Sequence, residues 1–100
     1  MNIALYTRDK HYGEMLFEYI NTNYRSRLNL SLITDKSLIA LHLSKQQTDI
    51  LVIDSHEEYE LKESRDIKRI YFSDEKVEDD KFIYKYESAD NIVSELIRHF

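Results

Sequence analysis

Ile50-Leu51-Val52-Ile53 constrains this chain more than any other stretch. Four residues are too few for a helix, and a run with no polar member is too apolar for a strand with one wet face. The run therefore predicts a central strand of a parallel sheet, covered on both sides. Asp54 follows it directly. A carboxylate delivered to the C-terminal end of a buried parallel strand stands where α/β sheets build their sites, so Asp54 is the first candidate functional residue.

One hundred residues with 42% hydrophobic content suffice for one compact domain with a single core. The net charge of -5 argues against a nucleic-acid surface, which needs a basic face to neutralise phosphates. The basic cluster Arg25-Ser26-Arg27 is expected in a solvated loop. No apolar segment approaches the length that spans a bilayer, and the N-terminus runs at once into a strand pattern, which together predict a cytoplasmic chain. The absence of cysteine removes disulfides, thiolate zinc sites and thiol nucleophiles. With one glycine, Gly13, and no proline, the chain also lacks the material of a phosphate-cradling nucleotide loop.

Strand and helix patterns alternate along the chain. Ile3 to Thr7 predicts a first strand, followed by Asp9 as an N-cap and by Tyr12, Met15, Leu16, Tyr19 and Ile20 at helical spacing. Leu28, Leu30, Leu32 and Ile33 predict a second strand, and Asp35 or Ser37 caps a helix through about Gln47. The third strand ends at Asp54, the fourth runs from Ile67 to Ser73 and the fifth from Phe82 to Glu87. Ser88 then caps a last helix carrying Ile92, Val93, Leu96, Ile97 and Phe100. Such alternation implies an α/β fold with a doubly wound parallel sheet. Two crossovers are weak. Between the third and fourth strands only Tyr59 and Leu61 interrupt a charged stretch, which predicts a helix of about two turns. Between the fourth and fifth, Val77 is the one apolar residue from Asp74 to Asp80, which predicts a loop or a single turn where a fourth crossover helix would be.

Ser73 at the end of the fourth strand and Lys85 in the fifth complete a constellation with Asp54. In this the chain resembles, over nearly its whole length, the receiver domain of bacterial response regulators. The resemblance implies a flavodoxin-like five-stranded parallel sheet of order 2-1-3-4-5. It also implies Asp54 as phosphoacceptor, Ser73 and Lys85 as contacts to the phosphoryl group, and acids after the first strand that hold magnesium. Those acid positions are Thr7 and Arg8 here, with Asp9 alone remaining nearby. Magnesium draws on carboxylates, so the metal site is altered, and Arg8 is expected to pair with Asp54 in the place of the ion. Tyr86 follows Lys85 where receivers usually have proline, so no cis peptide is expected there.

The stretch from Ile83 to Asp90 is similar to the divergent receiver-like N-terminal domains of ParA/MinD-type ATPases, including those of pilus-assembly localisation proteins. Under that likeness residues 1–100 would be the sensory or docking module of a longer protein, with the ATPase downstream of Phe100. Phe82, Tyr84 and Tyr86 are expected on one face of the last strand, where the missing helix leaves an aromatic strip as a candidate interface with a protein partner or a second copy. His11 and His56 lack a fixed spacing and are expected in solvent. The leading expectation is thus a non-catalytic interaction or regulatory domain, without cofactor, whose Asp54, Ser73 and Lys85 are a vestigial phosphoacceptor site. The alternative is a phosphorylatable receiver, modified at Asp54, with weak magnesium binding. A third reading, small-molecule binding at the switch point of the sheet, has no phosphate-binding loop to support it.

Overall fold

The computed structural model describes residues 1–54 and 67–99. Five strands, β1 (Asn2–Tyr6), β2 (Asn29–Ile33), β3 (Ile50–Asp54), β4 (Lys68–Ser73) and β5 (Phe82–Tyr84), form one sheet in the order β2-β1-β3-β4-β5. All pairings are parallel. This is the flavodoxin-like α/β arrangement, with helices α1 (Lys10–Asn23), α2 (Ile39–Lys45) and α3 (Ala89–Arg98). The most apolar strand takes the central place: every residue of β3 is buried, between β1 on one side and β4 on the other. Helix starts follow local chemistry. The side chains of Asp9, Asp35 and Ser88 accept hydrogen bonds from the backbone N–H of Tyr12, Ser37 and Asn91 at 3.0, 3.0 and 3.2 Å.

Alternation along the strands divides the core in two. Ile3, Leu5, Ile50, Val52, Ile70, Phe72 and Ile83 face α1 and α3, which contribute Leu16, Ile20, Ile92, Val93 and Leu96. Ala4, Tyr6, Leu51 and Ile53 face α2, through Ile39 and Leu43. On the first face Gly13 lets α1 come close. A Cβ there would stand 2.7 Å from Leu32 Cδ1 and 2.9 Å from Thr7 Cγ2, so the helix could not hold this distance with any larger residue.

The connection from β4 to β5 contains no helix, as its lone Val77 predicts. Register explains how it closes. β5 pairs only with Tyr71, Phe72 and Ser73, so the chain must retreat by two residues of strand rise, about 7 Å, before it re-enters the sheet. Eight residues, 74–81, manage that without a helix. The consequence is a stepped edge, where Lys68, Arg69 and Ile70 extend beyond β5 at the N-terminal end of the sheet.

Some boundaries differ from those expected. β5 ends at Tyr84, because the N–H of Glu87 turns back to the Tyr84 carbonyl at 3.2 Å and directs the chain into the Ser88 cap. The helix expected from Asp35 to about Gln47 begins with a 3-10 turn (Lys36–Leu38) and its α-helical part ends at Lys45. The expected short third crossover helix, with Tyr59, Leu61 and His56, lies outside the described residues, as does Phe100. Among the described residues no helix is long and apolar enough to cross a membrane.

Candidate functional site

The C-terminal ends of β1 and β3 and the residue after β5 converge on one carboxylate. Thr7 prolongs β1 by one residue, its N–H donating to the Ile33 carbonyl at 3.1 Å, and its side chain is fully buried. Its hydroxyl donates to Asp54 Oδ2 at 2.9 Å and accepts from the Asp9 N–H at 3.1 Å. Lys85 is held by its own N–H, which donates to the Ser73 carbonyl at 2.9 Å. Its ammonium reaches over β4 and donates to the same Asp54 Oδ2 at 2.7 Å. Asp74 Oδ1 lies farther off, 3.9 Å from that nitrogen. Asp54 and Lys85 are each only 3% exposed, so this is a buried ion pair. Asp54 Oδ1 is also buried and has no hydrogen-bond partner among the described residues.

Aromatic rings close around the cation. The Lys85 nitrogen lies 4.7 Å from the centroid of Tyr12 and 5.5 Å from that of Tyr86. The Tyr12 hydroxyl donates to the Lys85 carbonyl at 2.7 Å, and its ring meets Phe72 edge-on with centroids 6.2 Å apart. Burial by itself would lower the Lys85 ammonium, but the hydrogen bond and charge of Asp54, with Tyr86 and Asp74 behind them, hold it above its ordinary value. Burial pushes the Tyr12 phenol up, and the nearby charge of Asp54 pushes it further. The site is therefore a fixed charge pair with a neutral phenol packed against it.

Of the residues expected here, the structure brings Asp54, Lys85 and Thr7 together. Ser73 is buried at the end of β4, but its hydroxyl accepts from the Glu75 N–H at 3.1 Å and so serves the following loop. Asp9 is exposed, with its carboxylate capping α1. Arg8 is exposed as well and lines a cleft with Tyr6, Thr34 and Asp35. Among the described residues the expected Arg8–Asp54 pair is not found. Alternation past the end of β1 turns Thr7 inward and Arg8 outward, and the cation on Asp54 is Lys85 instead. Phe82 and Tyr84 are half-buried; the Phe82 ring lies 5.5 Å from Tyr71. Tyr86 does not continue their face, since it belongs to the turn after β5. It is 60% exposed and meets Tyr84 edge-on at 5.7 Å. His11 is exposed, as expected.

Tyr12 is the residue that sequence reading misses, because a tyrosine on an apolar helical stripe reads as core. The available signal is its position in the first turn after the Asp9 cap, directly before Gly13, where α1 approaches the sheet most closely. Magnesium does not fit the described donor set. The ion demands octahedral oxygens, whereas Asp54 Oδ2 already carries an ammonium and a hydroxyl and Asp9 caps a helix end, which leaves Asp54 Oδ1 as a single carboxylate ligand. Among the described residues no three acidic or histidine side chains cluster as metal ligands. The chain matches no protein-family model and no curated protein.

Proposed function

We propose that this chain is a non-catalytic, receiver-like interaction domain in which Asp54 acts as a structural anchor and is not a phosphoacceptor. The observation that carries this reading is the 2.7 Å contact between Lys85 Nζ and Asp54 Oδ2 inside the fold. The Thr7 hydroxyl on the same oxygen reinforces it. A carboxylate neutralised by an ammonium needs neither a metal nor a phosphoryl group to remain ionised. The half-buried Phe82 and Tyr84 on the outermost strand support a role in protein contact, either with a second copy or with another partner. In the cell the domain works in the cytoplasm, regulating or localising an attached ParA/MinD-type ATPase, as the likeness at Ile83 to Asp90 suggests.

The test is titration with beryllofluoride and magnesium while backbone amide shifts are followed at Thr7, Asp54 and Lys85. No saturable change is expected. Saturable shifts that vanish in Asp54→Asn would overturn the proposal in favour of the phosphorylatable receiver. That second reading has one observation on its side: Asp54 Oδ1, which keeps a lone pair unused.

A further inference from the structure

The stepped edge left by the short β5 gathers the opposite charge to that of the chain as a whole. Lys68, Arg69, Tyr71, Lys81 and His99 line one cleft of about 330 Å³ at the N-terminal end of β4, away from Asp54. The chain carries a net charge of -5, yet none of these three cations forms an ion pair among the described residues. Lys68 Nζ donates to the His99 carbonyl at 2.7 Å, which covers the end of α3 and removes a carbonyl that would repel an anion. The side chains of Arg69 and Lys81 have no ion-pair partner among the described residues.

Two further polar groups stand at this cleft. The imidazole Nε2 of His99 is buried without a hydrogen-bond partner among the described residues. The second group is in the main chain. The Tyr71 N–H reaches toward the β5 side, donating to the Lys81 carbonyl at 2.8 Å. Alternation along the strand turns the Arg69 N–H the same way, and β5 begins too late to meet it. The guanidinium of Arg69, the ammonium of Lys81, the imidazole of His99 and a backbone N–H thus border one cleft with the Tyr71 ring. A carboxylate has two oxygens for such a set; a phosphate group offers three that are free, with charge enough for two cations.

We propose that this cleft binds a phosphate dianion, either inorganic or carried on a monoester. Binding is independent of Asp54 and is weakened by salt, since the cleft is open to solvent. The test is amide and imidazole NMR on the chain at constant ionic strength, set with chloride, during titration with inorganic phosphate, O-phosphoserine or acetate. The expected result is saturable shifts at Arg69, Tyr71 and His99 with phosphate probes, and weaker shifts with acetate. Affinity should fall about tenfold or more, ~1.4 kcal/mol, in Lys81→Ala, whose side chain is exposed, and in Arg69→Gln. Asp54→Asn should leave it unchanged. Saturation by both phosphate probes means the phosphate group suffices, and saturation by O-phosphoserine alone identifies a monoester ligand. Equal binding of acetate, no saturation by either phosphate probe, or variants that bind as the parent does would overturn the proposal.

Discussion

The centre of the sheet and its β5 edge handle polar and aromatic groups in opposite ways. At the centre, Asp54 sits between strands whose ends must coincide, and register alone brings Thr7 and Lys85 to the same oxygen. At the edge, a three-residue strand and a helix-free loop leave Phe82 and Tyr84 half-buried, and put Tyr86 in solvent. The core position is over-determined: three segments distant in sequence meet there, and moving one disturbs the others. The edge is determined by one loop length. Chemistry at the centre is therefore rigid and sensitive to substitution, while the edge is free to serve contacts outside the chain.

The largest expected effect tests the rigidity of the centre. Lys85→Met keeps the aliphatic stem against Tyr12 but leaves Asp54 buried and uncompensated, which costs about 3–5 kcal/mol. Urea unfolding followed by circular dichroism measures the loss. Replacing both partners, as in Asp54→Leu with Lys85→Met, removes the stranded charge and should recover most of it. If the single substitution costs less than about 1 kcal/mol, the level of an exposed pair, the ion pair does not organise the centre.

High pH weakens the same region. Tyr12 and Lys85 both hold their protons more tightly folded than unfolded. Below the ordinary phenol and ammonium values both states are protonated and nothing changes. Above about pH 10 the unfolded chain releases protons that the folded chain keeps, so stability falls as pH rises, by up to about 1.4 kcal/mol per pH unit for each group. Tyr12 retains some solvent contact, so its share lies below that ceiling. Urea midpoints between pH 9 and pH 11 check the sign, and in Tyr12→Phe the slope should be shallower.

Gly13→Ala links the two levels of structure. The added methyl meets Leu32 Cδ1, which can rotate away, and Thr7 Cγ2, which is stiff and buried. Better helix propensity returns up to about 1 kcal/mol, while overpacking costs about 1–3 kcal/mol, so a net loss near 1 kcal/mol is expected. The distinctive readout is local: the Thr7 and Asp54 amides should shift, because displacing Thr7 disturbs its bond to Asp54.

What the sequence reveals follows the same division. The run from Ile50 to Ile53 identifies β3 as central because only a strand buried on both faces tolerates four apolar residues in succession. The lone Val77 predicts the helix-free connection because a helix needs an apolar stripe to dock. The order of the strands came from the likeness to receivers, not from periodicity. The expectation that Arg8 pairs with Asp54 fails because the chain order of strand ends does not tell which way a side chain turns. One residue of alternation puts Thr7 inside and Arg8 outside. Periodicity carries Tyr86 onto the strand face because the end of β5 depends on a turn hydrogen bond, from Glu87 N–H to the Tyr84 carbonyl, for which the sequence carries no marker such as glycine or proline.

The smallest expected effect probes the edge. Tyr86→Ser removes a ring that is 60% exposed, so stability should change by no more than about 0.5 kcal/mol. Its cation contact with Lys85, at 5.5 Å, is secondary to the nearer Tyr12 and to Asp54. Sedimentation velocity over a wide concentration range separates the two roles left to this residue. If the parent chain associates and Tyr86→Ser does not, at equal stability, the edge is an interface between copies. If both remain monomeric, the aromatic edge is not an interface between copies. A loss of stability comparable with that of Lys85→Met would instead make Tyr86 part of the centre and erase the contrast between the two regions.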